Sequence, residues 1–316
     1  MHLARVGHEP SLWARDGALV ADMRRRRANA VYLPDVRFPD GVSVTSDLEQ
    51  ALRDAELVVW AVPSHGTRDV LRQAALAIRH GAIVVSATKG IEQGALFRVS
   101  EIIGQELGGR VKVAVLSGPS FAAELARELP TAVSVASGDS DVVARVQSGF
   151  RAPYFRLYGT DDVVGVEIGG AIKNVIAIAA GVVEGLGLGH NALAGLITRG
   201  LAEISRLACA AGAKRETLAG LTGLGDLVLT CTGTLSRNRH VGVELARGRP
   251  LPDILAGMKM VAEGVRTTEA ALALAGRYGV ELPIAAQMAE VLAGRKRAVT
   301  ALEDLMLRPQ RAETDG

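Results

Sequence analysis

The sequence predicts an α/β protein with a doubly wound, mostly parallel sheet, followed by an all-helical C-terminal domain. Over the first 160 residues, short runs of apolar and β-branched residues alternate with helical patterns, and from residue 161 only helical patterns remain. Several predicted strands, such as 57–62, are apolar at every position. Such strands are buried on both faces, which is typical of a parallel sheet covered by helices. We therefore expect one domain at residues 1–160 and a second at 161–316.

The elements follow from the local patterns in chain order. Continuous apolar or β-branched runs predict strands, and apolar residues recurring at helical spacing predict helices. The predicted strands are 11–14, 42–45, 57–62, 82–87, 111–116, 132–136 and 155–158. The predicted helices are 67–78, 96–107 and 141–150 in the first domain, and 164–186, 192–211, 235–247, 252–258, 267–278 and 284–293 in the second.

Composition limits the classes of function. Apolar residues make up 48% of the chain but aromatic residues only 3%, so Ala, Val, Leu and Ile must build the core. The net charge of +2 provides no general attraction for nucleic acid. Cys209 and Cys231 lack the spacing of paired metal ligands, which predicts reduced thiols in a cytoplasmic protein without a metal site. No apolar run is expected to reach the roughly 18 residues that a membrane span needs.

The opening residues depart from the usual start of a doubly wound nucleotide-binding domain. Such a domain begins with an apolar strand, a glycine-rich turn and a helix. Met1-His-Leu-Ala-Arg-Val-Gly7 instead looks like the last turn of a helix that stops at Gly7. We therefore expect a Rossmann-type sheet that is missing its first strand. Because that strand normally lies in the middle of the sheet, we also expect the chain as written to bind a dinucleotide weakly.

One helix of the second domain carries an unusual pair of polar residues. Between Gly165 and Gly181, Lys173 and Asn174 are surrounded by Gly, Ala, Val and Ile. The stem of Lys173 could lie on apolar surface while its ammonium group reaches water. Alternatively, the amine is desolvated and its pKa is lowered far enough for it to act as a base.

Two polar motifs directly follow predicted strands. Ligands of parallel sheets bind beyond the carboxyl ends of the strands, where Lys89 would meet an anionic group unless it is an exposed loop residue. In the second motif, Gly118 permits close backbone approach, Pro119 suits the first turn of a helix, and Ser120 adds a hydroxyl. This motif is either a site for phosphate or hydroxyl oxygens or an ordinary capped turn.

Three charged residues of the second domain are further candidates. Asp226 lies between apolar residues, so its carboxylate either caps a helix or orients a substrate group or the Lys173 amine. Arg237, flanked by a hydroxyl and an amide, could grip a phosphate with two hydrogen bonds or be a plain surface arginine. Glu263 could accept a hydrogen bond from a ribose hydroxyl, or be a solvated acid at a helix end.

Arg15, at the end of the strand predicted at 11–14, bears on the choice of dinucleotide. An acidic residue at that place accepts the ribose 2′-hydroxyl of NAD, whereas an arginine accommodates the 2′-phosphate of NADP. The sequence therefore favours NADP and leaves NAD open.

Taken together, these motifs resemble the bacterial NAD(P)-dependent glycerol-3-phosphate dehydrogenase family. The resemblance runs from residue 1 to about residue 305, and the combination is specific although no single motif is. The matching stretches are Leu12-Trp-Ala-Arg15, Tyr32-Leu-Pro34, Ala61-Val-Pro-Ser64, Ala87-Thr-Lys-Gly90, Ser117-Gly-Pro-Ser-Phe-Ala122, Gly169-Gly-Ala-Ile-Lys-Asn-Val175, Leu196-Ile-Thr-Arg-Gly-Leu-Ala-Glu203, Gly223-Leu-Gly-Asp-Leu-Val-Leu-Thr-Cys231, Ser236-Arg-Asn-Arg239 and Val261-Ala-Glu-Gly264.

The resemblance implies reversible hydride transfer between NAD(P)H and dihydroxyacetone phosphate, giving sn-glycerol 3-phosphate for phospholipid synthesis. It makes the first domain a dinucleotide-binding domain and the second a substrate-binding and catalytic domain. The expected partner is a triose phosphate, and a homodimer is left open. Lys173 would be the catalytic proton acceptor and donor at the carbinol oxygen. Cofactor contacts would come from Arg15, Lys89, Ala122, Arg237, Val261 and Glu263, and substrate contacts from Lys89, Gly118, Ser120, Lys173, Asp226, Ser236, Arg237 and Asn238.

Two other readings compete with this one. A related hydroxy-acid or hydroxyacyl dehydrogenase would share an α/β domain followed by a helical domain. A truncated, weakly active or non-catalytic remnant of the family would keep the fold without full activity. The absent glycine loop favours the remnant, whereas the retained Lys173, Lys89, Asp226 and Arg237 favour an active enzyme.

Overall fold

The computed structural model describes residues 1–258, 262–310 and 312–313. The protein consists of two compact units, which we call the sheet unit and the helical unit. Two short segments from the first half of the sequence belong to the helical unit. The sheet unit comprises 1–88, 99–116 and 120–161, and the helical unit comprises 89–98, 117–119 and 162–316.

The predicted strands are all present, with ends shifted by at most two residues. The prediction missed one short antiparallel pair, because a two-residue strand facing one that contains Pro34 has no alternating pattern. The strands are β1 (Ser11–Trp13), β2 (Ala28–Asn29), β3 (Leu33–Arg37), β4 (Ser43–Thr45), β5 (Leu57–Trp60), β6 (Ile83–Ser86), β7 (Lys112–Ser117), β8 (Thr131–Ala136) and β9 (Phe155–Thr160).

The main sheet has five strands in the order β5-β6-β7-β8-β9. Strands β5, β6 and β7 run parallel, as do β8 and β9, so the carboxyl ends of β5 and β6 lie at one edge. Strand β1 pairs in parallel with β4 in a separate sheet, and in the described residues no ladder joins β1 to β5. The predicted fold class, a doubly wound sheet followed by helices, is confirmed.

Burial on both faces holds for β6 but not for β5. All four residues of β6 are buried. In β5, Val59 is 39% exposed and Leu57 is half-buried, so the prediction from the apolar run 57–62 is wrong for this strand. The reason is that β5 lies at the edge of the five-stranded sheet, where an apolar side chain is not covered on both faces.

Seven helices of the described chain precede residue 162. Val6 ends the first of them, and Gly7 adopts a positive φ of 95°, which confirms the predicted helix stop. The helices are α1 (His2–Arg5), α2 (Gly17–Arg26), α3 (Leu48–Leu52), α4 (Ser64–Ala74), α5 (Val99–Leu107), α6 (Ala122–Ala126) and α7 (Ser140–Gly149).

From Asp162 onward the described residues form helices and no strand. Six of the nine α-helices in this part of the described chain correspond to the predicted segments, and three were missed. The helices are α8 (Val163–Gly185), α9 (Gly189–Ala210), α10 (Arg215–Ala219), α11 (Asp226–Thr232), α12 (Arg237–Ala246), α13 (Leu251–Ala256), α14 (Glu263–Tyr278), α15 (Pro283–Leu292) and α16 (Ala298–Met306).

Helix α8 forms the centre of the helical unit. The Asp162 side chain caps it by accepting a hydrogen bond from the Gly165 N–H at 2.8 Å, and residues 165–183 are all buried. A Cβ on Gly181 would lie 1.9 Å from the Arg239 carbonyl oxygen, so the backbones of α8 and α12 touch. This contact fixes the start of α12 relative to α8.

The expectation that no apolar run reaches the length of a membrane span is wrong for α8. This helix has 23 residues and a mean hydropathy of 1.7 in its most apolar window. However, 89% of that window is buried inside the protein, as expected for the core helix of a helical domain.

Candidate active site

Lys173 lies on the buried part of α8 and does not reach water. The residue is 5% exposed, and its Nζ donates to Asp226 Oδ1 at 2.6 Å and to Thr230 Oγ1 at 2.6 Å. The alternative in which its head is solvated is therefore wrong. Burial among the apolar side chains of α8 leaves the ammonium dependent on these two oxygens.

Asp226, the first residue of α11, is the centre of this polar cluster. It is 1% exposed and follows a π-helical turn at Leu221–Gly225, a type of irregularity that is frequent at functional sites. The side chain of Thr230, one turn further along, donates to the Asp226 carbonyl oxygen at 2.6 Å. Of the alternatives that the sequence left open, Asp226 therefore contacts the Lys173 amine rather than capping a helix.

Lys89 completes the cluster from the segment 89–98. Its Nζ donates to Asp226 Oδ2 at 2.6 Å and to the Gly118 carbonyl oxygen at 3.3 Å. The side chain is 23% exposed, so the ammonium is only partly shielded from solvent. One carboxylate therefore bridges two ammonium groups, and the two oxygens of Asp226 each serve a different lysine.

These charges set the proton affinity of Lys173. Its pKa is lowered from the usual 10.5 to about 7, mainly because burial desolvates the ammonium and secondly because of the charge of Lys89. Asp226 opposes both effects but does not cancel them. Near neutral pH the amine can therefore both donate and accept a proton. Burial raises the pKa of the adjacent Cys231 thiol to about 12, so that thiol stays protonated.

Two amide side chains join three helices beside Lys173. Asn238 Nδ2 on α12 donates to Asn174 Oδ1 on α8 at 2.9 Å, and Asn238 Oδ1 accepts from the Gly264 N–H of α14 at 3.0 Å. A Cβ on Gly264 would lie 2.6 Å from the Asn174 carbonyl oxygen, so the position requires glycine. These bonds fix the starts of α12 and α14 relative to α8.

The start of α12 also presents a guanidinium group. Ser236 caps the helix by accepting a hydrogen bond from the Arg239 N–H at 3.3 Å. Arg237, the first residue of α12, is exposed, but nearby protein partly desolvates its guanidinium and lowers its pKa, against the opposing charge of Glu263. Glu263 is half-buried at the start of α14. A positively charged group therefore lies at the N-terminus of a ten-residue helix, an arrangement that suits an anion.

Comparison with known proteins identifies the family. The model for the N-terminus of NAD-dependent glycerol-3-phosphate dehydrogenase matches residues 1–143, and the model for its C-terminus matches residues 162–303. The chain belongs to this family. A relative from Myxococcus xanthus, named glycerol-3-phosphate dehydrogenase [NAD(P)+], is 50% identical and covers 98% of this chain and 92% of its own length.

Other similar proteins support the same family assignment. A protein of the same name from Geobacter sp. strain M21 is 52% identical over 80% of this chain and 76% of its own length. The crystal structure of glycerol-3-phosphate dehydrogenase from Coxiella burnetii has a TM-score of 0.94 and 38% identity, and it covers 97% of this chain and 94% of that one. A ketopantoate reductase from Ralstonia eutropha, at 17% identity and a TM-score of 0.58, shares the fold alone. The reading as a hydroxy-acid dehydrogenase is not favoured.

In this family member, the structure joins four of the twelve residues named from the sequence. Lys89, Gly118, Lys173 and Asp226 form one bonded cluster. Ser236, Arg237, Asn238 and Glu263 belong to the same helical unit. Arg15, Ser120 and Ala122 are exposed residues of the sheet unit, and Val261 lies outside the described residues.

One local expectation around this glycerol-3-phosphate dehydrogenase motif is wrong. Pro119 was expected in the first turn of a helix, but α6 begins three residues later, at Ala122, with Phe121 as its N-cap. Ser120 therefore precedes the helix. Gly118 has a positive φ of 145°, a backbone conformation that favours glycine.

The sequence-based prediction missed Thr230 and the hydrogen bond between the side-chain amides of Asn174 and Asn238. Thr230 stands four residues after Asp226, a spacing that places the two on one face of a helix. That spacing could have revealed Thr230, had α11 been predicted. Within the described part of the chain, no group of three or more His, Cys, Asp or Glu residues could hold a metal ion.

Proposed function

We propose that this protein catalyses the reversible reduction of dihydroxyacetone phosphate to sn-glycerol 3-phosphate with NADH or NADPH. The observation that carries the proposal is the bridge from Lys89 through Asp226 to Lys173, in which Lys173 has a pKa of about 7. A buried amine that can exchange a proton near neutral pH is what the reduction of a ketone requires. The product supplies glycerophospholipid synthesis.

The residues present fit a nicotinamide dinucleotide, the cofactor implied by the family. In the sheet unit, the carboxyl ends of β5 and β6 share one edge, which is where parallel sheets bind nucleotides. Arg15 is exposed just beyond β1 and suits a 2′-phosphate. We assign further cofactor contacts to Lys89, Ala122, Arg237, Val261 and Glu263. When bound, the reduced nicotinamide supplies a hydride to the carbonyl carbon of the substrate.

Lys173 donates or accepts the proton that is transferred in the reaction. As the carbonyl carbon gains a hydride, its oxygen gains negative charge and takes a proton from the Lys173 ammonium. The net change is ketone, NAD(P)H and one proton to alcohol and NAD(P)+. In the reverse direction, the neutral Lys173 amine takes the proton of the hydroxyl group while the hydride leaves.

The hydrogen bonds of Lys173 position one N–H for this step. An ammonium has three N–H donors, and Asp226 and Thr230 accept two of them at 2.6 Å each. The third remains for the substrate oxygen. Lys89 likewise donates to Asp226 and the Gly118 carbonyl, which leaves one N–H to stabilise the same developing charge.

The start of α12 is assigned to the substrate phosphate. Arg237 can offer two parallel N–H donors to phosphate oxygens, and the N-terminus of α12 adds to the positive potential. We assign Ser236 and Asn238 to the same pocket and Gly118 and Ser120 to the polyol. Binding of the phosphate orients the distant carbonyl group towards Lys173. The energy of phosphate binding thereby lowers the barrier of the reaction.

That this protein is an enzyme acting on a small molecule follows from the family to which it belongs. We place the reaction in the cytoplasm, where thiols stay reduced. Cys209 and Cys231 are both free, in keeping with that compartment.

The proposal is tested by following NADPH and NADH oxidation with dihydroxyacetone phosphate and with dihydroxyacetone. Only the phosphorylated ketone should be turned over efficiently. Arg237→Lys should raise KM about tenfold, because a charge-assisted hydrogen bond contributes about 1.5 kcal/mol and the fork of donors is lost.

Arg215→Lys, at the exposed first residue of α10, is the matched control and should leave KM unchanged. Equal turnover of both ketones would contradict the substrate assignment. An unchanged KM in Arg237→Lys would contradict the phosphate contact.

A further inference from the structure

We propose that the ion pair between Arg98 and Glu167 positions Lys89 against Asp226, so that both residues of the pair are positioning residues of the reaction. The pair lies in the helical unit but outside the polar cluster around Lys173. This inference rests on the proposed function, because Lys89 acts on the substrate there. It concerns the segment 89–98, which we call the strap.

The strap is closed on itself. An antiparallel bridge joins Ile91 to Arg98 at the end of the strap, and the Glu92 N–H donates to the Phe97 carbonyl at 2.9 Å. Gly94 and Leu96 at its tip both have positive φ, at 79° and 63°. A non-glycine residue such as Leu96 keeps this conformation only where the surroundings impose it. Residues 91–98 therefore form one hydrogen-bonded loop, and Lys89 lies two residues before it.

Contacts with the helical unit hold the strap in place. Ile91 is 4% exposed and belongs to the hydrophobic core around α8. Arg98 Nη1 donates to Glu167 Oε2 at 2.7 Å, and Arg277 Nη2 of α14 donates to the Ala95 carbonyl at 3.2 Å. The Glu167 side chain is 4% exposed, and the charge of Arg98 compensates part of the cost of burying its carboxylate.

Helix α8 links this anchor to the reaction site. Glu167 and Gly170 are neighbours on the helix at a spacing of three residues, as are Gly170 and Lys173. Glu167 binds the strap, and Lys173 binds Asp226. At Gly170, a Cβ would lie 2.6 Å from Ser117 Oγ, so the turn that carries the Gly118 carbonyl is packed against α8. One helix therefore fixes both lysines and the carbonyl that Lys89 contacts.

The lysine stem alone cannot provide this placement. It has four flexible methylene groups, so an ammonium stays at 2.6 Å from one oxygen only if its backbone is held. If the Arg98–Glu167 pair is broken, the strap shifts and the charge of Lys89 moves away from Lys173. Because that charge lowers the pKa of Lys173, the pKa should then rise. The other titratable groups facing Lys173, Asp226 and Cys231, stay in place on α11.

The test compares Glu167→Gln with Glu244→Gln. Glu244 is also a buried carboxylate paired with an arginine, Arg249, in the same unit. We expect kcat to fall about tenfold in Glu167→Gln, since small misplacements of reacting groups have effects of up to about a hundredfold. In glycerol 3-phosphate oxidation, which needs the neutral amine, the acid limb of the pH profile should move to higher pH. Glu244→Gln should keep both kcat and profile.

A double variant tests whether Glu167 acts through Lys89. In a Lys89→Ala background, adding Glu167→Gln should cause no further loss of kcat. If the two losses multiply instead, the positioning role is wrong. If Glu167→Gln fails to fold, Arg98→Lys serves in its place: it retains the charge, and it should shift the profile in the same direction by a smaller amount.

A second readout does not need turnover. The titration of Lys173 is followed by NMR of the free protein labelled with 13C at lysine Cε, and its signal is identified by its loss in Lys173→Met. The titration midpoint should rise in Glu167→Gln and not in Glu244→Gln. An unchanged midpoint overturns the positioning role. Absence of turnover in the wild type, together with a shifted midpoint, would instead count against the proposed function.

Discussion

Two regions of the helical unit each bury a group with a pKa near 7, yet they differ in what that group can do. Lys173 on α8 is 5% exposed, and its pKa is lowered to about 7. Glu203 on α9 is 4% exposed, and its pKa is raised to about 7. For both groups, desolvation by burial is the largest cause of the pKa shift. A perturbed pKa therefore does not by itself mark an active site.

The partners make the difference. The carboxylate of Glu203 accepts from the N–H groups of Ile284 at 2.6 Å and Ala285 at 3.4 Å, in the first turn of α15. The N-cap residue there, Leu282, has no side-chain acceptor, so Glu203 caps α15 from another helix. Lys173 instead contacts two side-chain oxygens, Asp226 Oδ1 and Thr230 Oγ1. One region serves the fold, and the other can serve a reaction.

The largest expected effect separates the two regions by activity. Lys173→Met should lower kcat by about two to four decades, the range for loss of a general acid–base group, while the protein stays folded. Glu203→Gln should keep kcat within about twofold, because the amide oxygen can still accept from α15. Steady-state kinetics in both directions measure this. A similar loss in both variants would contradict the division of roles.

The next effect is on stability and has opposite signs in the two regions. Glu203 has its pKa raised from 4.5 to about 7, so its contribution to the free energy of unfolding is present below pH 4.5 and lost as pH rises to 7. Lys173 has its pKa lowered from 10.5 to about 7, so its contribution is present above pH 10.5 and lost as pH falls to 7. Their summed contribution is therefore smallest near pH 7.

Urea unfolding between pH 5 and pH 10 measures these contributions. The stability of the wild type relative to Glu203→Gln should decline from pH 5 to pH 7, by at most about 3 kcal/mol. Relative to Lys173→Met, it should increase from pH 7 to pH 10. Parallel curves for the wild type and either variant would mean that the group in question titrates at its ordinary pKa.

The smallest expected effect concerns the hydroxyl that holds Lys173. Thr230→Val removes the oxygen that accepts from Lys173 Nζ, and kcat should fall about tenfold, as expected for one buried hydrogen bond to a charged group. Thr230→Ser keeps the hydroxyl and should retain most of the activity. If serine and valine behave alike, the methyl packing of Thr230 matters rather than its hydrogen bond.

Much of the fold could be predicted because its signals are local. The seven strands and the long helices were recognised from periodicity over a few residues. Helices α10, α11 and α16 were missed, although α11 and α16 are longer than the predicted six-residue α13, so length alone did not decide which helices were recognised. The exposure of Val59 was missed because an apolar run does not reveal whether its strand lies at the edge of a sheet.

The candidate site was predicted as a set of residues but not as an arrangement. The sequence alone determined the α/β and helical halves, the buried helix of Lys173 and, through its motifs, the resemblance to a family. Only the tertiary structure decided that Asp226 bridges Lys173 and Lys89, which are 53 and 137 residues away along the chain. The reason is physical: periodicity is a property of neighbouring residues, whereas desolvation and Coulomb interactions depend on every group that folding brings near.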